Sequence, residues 1–134
     1  MVAARILIIE DNAANLELVR YLLAHGGHSV LAATDGAQGI ALALRERPDL
    51  IVCDLQMPVL DGYQVLAQLR ARPETAAAVV IAVTAFSMPN DRQKVMTAGF
   101  DGYLSKPIDP ESFIAQVEAF LPAALRGQAR AAGD

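Results

Sequence analysis

The stretch Leu50-Ile-Val-Cys-Asp54 joins a short apolar run to a carboxylate that comes directly after it. Four apolar residues in a row, without polar alternation, predict a strand that is covered on both faces, as in the parallel sheet of an α/β fold. In an open sheet of this kind, ligands bind beyond the carboxyl ends of the strands. The stretch therefore indicates a fold class and the edge of the sheet where a functional site is expected.

Similar apolar runs recur along the chain. They predict five strands, at residues 5–9, 29–33, 50–53, 78–83 and 102–104. Apolar residues at helical spacing follow each run and predict five helices; these residues lie within 15–23, 37–44, 65–69, 88–98 and 113–121. Asp109 is the predicted N-cap of the last helix, with Pro110 at its first position. Five strand–helix units predict a doubly wound α/β domain, because right-handed crossovers place helices on both faces of the sheet.

Composition narrows the class of protein. The chain has 134 residues, of which 54% are apolar, so one domain with a real core is expected, at residues 1–122, followed by a flexible tail at 123–134. The net charge is -4 and no basic block is present, which argues against binding to nucleic acid. No apolar run approaches the roughly 20 residues of a membrane helix, and no signal peptide is visible. We therefore expect a cytoplasmic protein, and a single, buried Cys53 without a disulfide.

Reactive side chains follow four of the five predicted strands. Glu10 and Asp11 follow the first strand, Asp54 the third, Thr84 the fourth and Lys106 the fifth. Three clustered carboxylates raise one another's pKa, and a divalent cation such as Mg²⁺, which prefers oxygen ligands, resolves that conflict. Lys106 and Thr84 supply a cation and a hydroxyl that suit a phosphoryl group, and an Asp nucleophile can form an aspartyl-phosphate. The set predicts phosphoryl transfer, which depends mainly on positioning and charge neutralisation.

Each of these residues also has an ordinary interpretation. Glu10 and Asp11 are compatible with a solvated strand end, Asp11 and Asn12 with a helix cap, and Asp54 with a turn. Thr84 is compatible with a helix cap, and Lys106 with an exposed side chain before a turn. Five such residues at the same edge of a sheet, in strand order, favour the functional interpretation over the separate ordinary ones.

The residues around these positions resemble the response-regulator receiver family. The segments that carry the resemblance are IEDN at 9–12, CDLQMP at 53–58, DG at 61–62, VTA at 83–85 and KP at 106–107. The resemblance runs from about Arg5 to Leu121. Residues 83–88 and 103–108 are most similar to single-domain regulators of the DivK type, and also to receivers attached to hybrid histidine kinases. The resemblance implies a flavodoxin-like, CheY-like (βα)5 fold with strand order 2-1-3-4-5.

The resemblance also implies roles for the site residues. Asp54 would accept a phosphoryl group from the phosphohistidine of a partner. Asp11, Asp54 and the backbone carbonyl of Gln56 would bind Mg²⁺, with Glu10 often acting through water. Lys106 would contact the phosphoryl group, and the peptide bond between Lys106 and Pro107 would be cis.

A switch and a lifetime for the phosphoryl group follow from the same resemblance. Thr84 would move toward the phosphoryl group and Tyr103 would turn inward, which changes the face formed by the fourth helix, the fifth strand and the fifth helix. Gln56 and Phe86 would flank the route of an attacking water, and Phe86 would shield the phosphoryl group. Phe86 is also compatible with loop packing or a partner-binding patch, and Tyr103 with simple packing.

The implied partners are a histidine kinase or histidine phosphotransfer protein as donor, and a downstream protein as target. A monomer or a weak dimer is expected. Met1 and the short lead-in favour a free-standing protein over a fragment of a hybrid kinase.

Two rival functions fit less well. A phosphatase of the haloacid-dehalogenase type needs a second Asp two residues after its nucleophile, where this chain has Gln56. A dinucleotide-binding domain needs a glycine-rich turn after the first strand, where this chain has the acidic segment EDNAAN at 10–15. We therefore expect a signalling receiver that catalyses only its own phosphorylation and dephosphorylation, and not an enzyme with an external substrate.

Overall fold

A single parallel sheet of five strands organises the protein. The structure, a computed structural model, describes residues 4–85 and 89–121. The strands are β1 (Arg5–Ile9), β2 (Ser29–Ala33), β3 (Leu50–Asp54), β4 (Val79–Thr84) and β5 (Gly102–Ser105). They lie in the order β2-β1-β3-β4-β5, and all the neighbouring pairs are parallel. The fold class and the strand order predicted from the sequence are confirmed.

Within the described residues, five helices connect or follow the strands. They are α1 (Ala13–His25), α2 (Gly36–Glu46), α3 (Gly62–Arg70), α4 (Pro89–Ala98) and α5 (Phe113–Glu118). The first three helices begin after a residue whose side chain accepts a hydrogen bond from a backbone N–H of the first turn, namely Asn12, Asp35 and Asp61. Such caps satisfy donors that have no partner inside the helix, and so they fix where each helix begins.

The core lies in two layers, one on each face of the sheet. Alternate residues of β1 point to opposite faces, as strand geometry requires. Ile6 and Ile8 pack with buried residues of α1 and α5, whereas Leu7 and Ile9 pack with buried residues of α2, α3 and α4. Both faces of the sheet are thus covered by helices, which explains why the strands are apolar throughout.

The predicted start of the last helix is wrong. Asp109 is not its N-cap, because α5 begins at Phe113 and follows Ser112. The Asp109 carboxylate instead accepts hydrogen bonds from the Glu111 N–H, at 3.1 Å, and from the Ser112 hydroxyl, at 2.9 Å. These local bonds hold residues 109–112 in a turn, whose Asp109 carbonyl also accepts from the Phe113 N–H over 2.9 Å, and α5 begins where that turn ends.

Two expectations from the sequence concern a membrane-spanning helix and the tail at residues 123–134. None of the helices in the described ranges is long and apolar enough to cross a membrane. The tail expected at 123–134 lies outside the described residues, so its flexibility stays a prediction.

Candidate functional site

Three carboxylates meet at the carboxyl end of the sheet. Asp54 is the last residue of β3, and Glu10 and Asp11 directly follow β1, whose residue Ile9 pairs with Cys53 of β3. One carboxylate oxygen from each of the three acidic residues lies within 4.8 Å of the others. Asp54 and Glu10 are only 3% and 5% exposed, whereas Asp11 is exposed. The adjacency of β1 and β3 therefore brings together the acidic residues that the sequence placed at this edge.

Lys106 connects two of these carboxylates. Its Nζ lies 3.2 Å from Oε1 of Glu10 and 3.2 Å from Oδ2 of Asp54. Burial acts to lower the pKa of Lys106, but the charges of Asp54 and Glu10 outweigh burial and raise it. The peptide bond between Lys106 and Pro107 is cis, as the family resemblance implied. Lys106 is thus a charged ammonium group held against both buried carboxylates.

Burial and a neighbouring carboxylate raise the pKa of the Glu10 carboxyl. Burial raises its pKa from 4.5 to about 7, and the hydrogen bond to Asp54 and the charge of Asp54 act in the same direction. The N–H of Asn12, which donates to Oε2 over 3.1 Å, and the charge of Lys106 both oppose that rise. The Lys106 ammonium group is therefore insufficient to keep the Glu10 carboxyl fully ionised near neutral pH.

This imbalance fits a divalent cation. The donors are carboxylate oxygens, one of them exposed to solvent, and Mg²⁺ prefers oxygen ligands and retains several waters. A bound cation would favour the ionised form of the Glu10 carboxyl. The chemistry of the donor set thus fits Mg²⁺ at Glu10, Asp11 and Asp54.

Gln56 lies at the mouth of the site. Its side chain is exposed, and its backbone N–H donates to Oδ1 of Asp54 over 3.2 Å. The same bond gives Asp54 a turn-forming role, so the ordinary interpretation of this residue holds alongside the functional one. The two carboxylate oxygens of Asp54 therefore have different neighbours: the Gln56 N–H at Oδ1 and the Lys106 ammonium at Oδ2.

Thr84 and Tyr103 lie on the neighbouring strands. Thr84 ends β4 and is completely buried, and it pairs with Ser105 of β5. Its carbonyl accepts a hydrogen bond from the backbone N–H of Lys106 over 2.8 Å, so these two site residues are directly linked. Tyr103 is half-buried and packs against the core layer of α2, α3 and α4. Phe86 lies outside the described residues, so its shielding role has no structural test.

Two backbone contributions to the site were not predicted. The side chain of Asn12 caps α1, as the sequence allowed, but the hydrogen bond from its N–H to Glu10 had no sequence signal. Both backbone polar groups of Leu55 are hydrogen-bonded. Its N–H donates to the carbonyl of Val83 and its carbonyl accepts from the N–H of Gly62, each over 3.0 Å. Apolar Leu55 carried no sequence signal for such a role.

The comparison with known families agrees with this geometry. A profile of the response regulator receiver domain matches residues 6–118. The chain belongs to the response regulator receiver family. The acidic cluster described above is thus the acidic pocket of a receiver domain, at the carboxyl edge of its sheet.

Curated relatives of this receiver domain include two short regulators. The polar-differentiation response regulator DivK of Brucella anthropi is 36% identical over 116 residues, which span 87% of this chain and 94% of DivK. Protein PilH of Pseudomonas aeruginosa is 38% identical over 118 residues, which span 88% of this chain and 98% of PilH. The resemblance to DivK-type regulators seen in the sequence is confirmed.

Solved structures of receiver domains match the fold. The chemotaxis protein CheY4 of Vibrio cholerae has a TM-score of 0.84 and 27% identity, covering 90% of this chain and all of that chain. The receiver domain of a sensor histidine kinase from Pseudomonas aeruginosa has a TM-score of 0.80 and 32% identity, covering 89% and 98%. That second structure has a magnesium ion coordinated in its active-site cleft.

Proposed function

We propose that this receiver domain is a phosphoryl-accepting response regulator of a two-component or phosphorelay pathway. Asp54 would take the phosphoryl group from the phosphohistidine of a histidine kinase or histidine phosphotransfer protein. The observation that carries the proposal is the position of Lys106, whose ammonium group lies 3.2 Å from carboxyl oxygens of both Asp54 and Glu10. A cation beside a buried, strand-end carboxylate suits a nucleophile that must receive a multiply charged group.

Phosphoryl transfer to Asp54 replaces a bond between phosphorus and nitrogen by a bond between phosphorus and oxygen. A carboxylate oxygen attacks phosphorus, a P–O bond forms, and the P–N bond to the donor imidazole breaks with its electron pair returning to that nitrogen. The Gln56 N–H at Oδ1 and the Lys106 ammonium at Oδ2 hold the carboxylate in place, so little reorganisation is needed. Glu10, Asp11, Asp54 and the Gln56 carbonyl would hold Mg²⁺, which when bound neutralises charge on the carboxylates and on phosphoryl oxygens.

A change of the signalling face would follow phosphorylation. Thr84 and Lys106 share a backbone hydrogen bond, so a new contact to the Thr84 hydroxyl acts on the same β4–β5 edge that carries Tyr103. Inward movement of Tyr103 would shift the population of the α4–β5–α5 face between two states. The readout is then binding to a downstream protein by a monomer or a weak dimer, within the cytoplasm.

Loss of the phosphoryl group belongs to the same proposal. The exposed Gln56 side chain stands at the mouth of the site, where an attacking water would arrive, and Phe86 is proposed to shield that route. The chain would thus catalyse only its own phosphorylation and dephosphorylation.

Intact mass spectrometry after incubation with acetyl phosphate tests the proposal. We expect the wild type to gain one phosphoryl group only in the presence of Mg²⁺, and Asp54→Asn to gain none. Asp35→Asn is the matched control, because Asn caps α2 as well as Asp does and the residue lies outside the acidic cluster. Equal labelling of Asp54→Asn, or no labelling of the wild type by acetyl phosphate and by any phosphohistidine donor, would contradict the proposal.

A further inference from the structure

Gly62 lies against the backbone of the proposed phosphoacceptor. It is the first residue of α3 and is buried. A Cβ atom at this position would lie 2.7 Å from the carbonyl oxygen of Asp54 and 2.8 Å from Cα of Leu55. Non-bonded carbon atoms are in optimal contact at about 3.5–4.0 Å, so any side chain here must displace that backbone. Gly62 is not among the described residues with positive φ, so the backbone conformation does not require glycine here. The lack of space for a Cβ atom does.

The displaced backbone is the part of the chain that carries the site. Leu55 lies between Asp54 and Gln56, and two hydrogen bonds fix its peptide groups. Its N–H donates to the carbonyl of Val83 in β4, and its carbonyl accepts from the N–H of Gly62, both over 3.0 Å. The start of α3 therefore holds this segment against the sheet, and a side chain at Gly62 would push on it from the same direction.

We infer that Gly62 is a positioning residue for the acidic site, an inference that rests on the function proposed above. Its missing side chain allows α3 to begin in contact with residues 54 and 55. That contact fixes the Asp54 carboxylate relative to Glu10 and fixes the backbone of Gln56, whose carbonyl is a proposed ligand. Metal affinity depends on residues that orient the ligands, so Mg²⁺ affinity is the property most sensitive to Gly62.

Gly36 provides a matched control. It is also buried, is the first residue of α2, and follows an Asp N-cap. A Cβ atom there would come closest to side-chain atoms, at 2.8 Å from Cβ of Leu60 and 2.9 Å from a methyl group of Val65. Gly36→Ala thus imposes a similar crowding, and the three atoms nearest to its Cβ belong to Leu60 and Val65 and not to residues 54–56.

The experiment compares the Mg²⁺ dissociation constant, from calorimetry, with the free energy of unfolding, from urea titration in EDTA. We expect Gly62→Ala to weaken Mg²⁺ binding about tenfold or more, the range found when groups that orient metal ligands are changed. Gly36→Ala should lose stability and keep its Mg²⁺ affinity. Unchanged affinity in Gly62→Ala, or equal weakening in both variants, would overturn the inference.

A second pair of variants serves if Gly62→Ala does not fold. Leu55→Ala removes the methyl group that would lie 2.9 Å from the new Cβ, but the close backbone contacts remain. We expect Leu55→Ala/Gly62→Ala to bind Mg²⁺ more weakly than Leu55→Ala, and equal affinity would overturn the inference. A wild type that neither binds Mg²⁺ nor gains a phosphoryl group contradicts the proposed function and this inference with it. A wild type that binds Mg²⁺ and gains a phosphoryl group, beside a Gly62→Ala variant with the same Mg²⁺ affinity, contradicts this inference alone.

Discussion

Nε2 of His28 lies 2.7 Å from Oε2 of Glu118, and the two side chains are only 0% and 2% exposed. His28 directly precedes β2, and Glu118 is the last residue of α5. Nδ1 of His28 accepts a hydrogen bond from the N–H of Ala4, just before β1, so the ring hydrogen belongs on Nε2 and points to Glu118. This pair joins the helix to the amino-terminal edge of the sheet, away from the acidic site.

Removing one member of this pair should destabilise the fold. We expect His28→Ala to lower the free energy of unfolding by about 2–3 kcal/mol, because the buried Ala4 N–H and Glu118 Oε2 lose a hydrogen-bond partner. Urea titration measures the change. The double variant His28→Leu/Glu118→Leu should recover the part of the loss that comes from Glu118, whereas the Ala4 N–H still lacks the acceptor that His28 supplies. A His28→Ala loss as small as that of an exposed substitution such as His25→Ala would count against this account.

Val59 has a strained backbone, and its relief should stabilise the protein. Its φ is 69°, in the left-handed region that β-branched residues avoid, and the residue is 95% exposed. Asn adopts this region readily, so Val59→Asn should raise the free energy of unfolding by about 1 kcal/mol without loss of packing. Val59→Ala, which keeps a Cβ atom in the same backbone conformation, should gain less. A midpoint temperature of thermal unfolding that is no higher for Val59→Asn than for Val59→Ala would contradict the backbone strain at this position.

The sequence predicts those parts of the fold that depend on local pattern. The bounds of β1 and β2 were predicted correctly, because continuous apolar runs between polar residues have clear ends. The meeting of Glu10, Asp11 and Asp54 was also predictable, since parallel strands place their carboxyl ends at one edge.

Other features depend on contacts between distant residues or on competing local bonds. His28 and Glu118 are 90 positions apart, and nothing in either neighbourhood indicates the other. The start of α5 was predicted too early, because the Asp109 side chain closes its own turn. The crowding at Gly62 is invisible in the sequence, where an Asp-Gly pair indicates only a turn or a helix start.

Cys53 should be unreactive in the folded protein. Burial raises the pKa of its thiol, and the charges of Asp54 and Glu10 raise it further, so the reactive thiolate is disfavoured. We expect a disulfide reagent to label Cys53 only as the protein unfolds, at a rate that rises with urea. A Cys53→Ser/Ala24→Cys variant, with an exposed thiol on α1, is the positive control and should react at once. Labelling of native Cys53 as fast as this control would show that the site opens without unfolding.

The stability of the metal-free protein should fall as the pH rises toward neutrality. Glu10 has a pKa of about 7 in the folded protein, mainly because it is buried, and 4.5 when it is not perturbed. Between these values the folded state retains a proton that the unfolded state has released. The free energy of unfolding contributed by this group is therefore fully present below pH 4.5 and is lost as the pH rises through about 7.

Urea titrations in EDTA between pH 4.5 and about 7 should show this decline in the wild type and a flatter profile in Glu10→Gln. Glu17→Gln, on the exposed face of α1, should behave like the wild type. Lys106→Met should raise the pKa of Glu10 further, because the ammonium charge acts to lower it, and a carbon-13 NMR titration of the Glu10 carboxyl would measure that shift. Equal slopes in the wild type and Glu10→Gln would mean that another group carries the pH dependence.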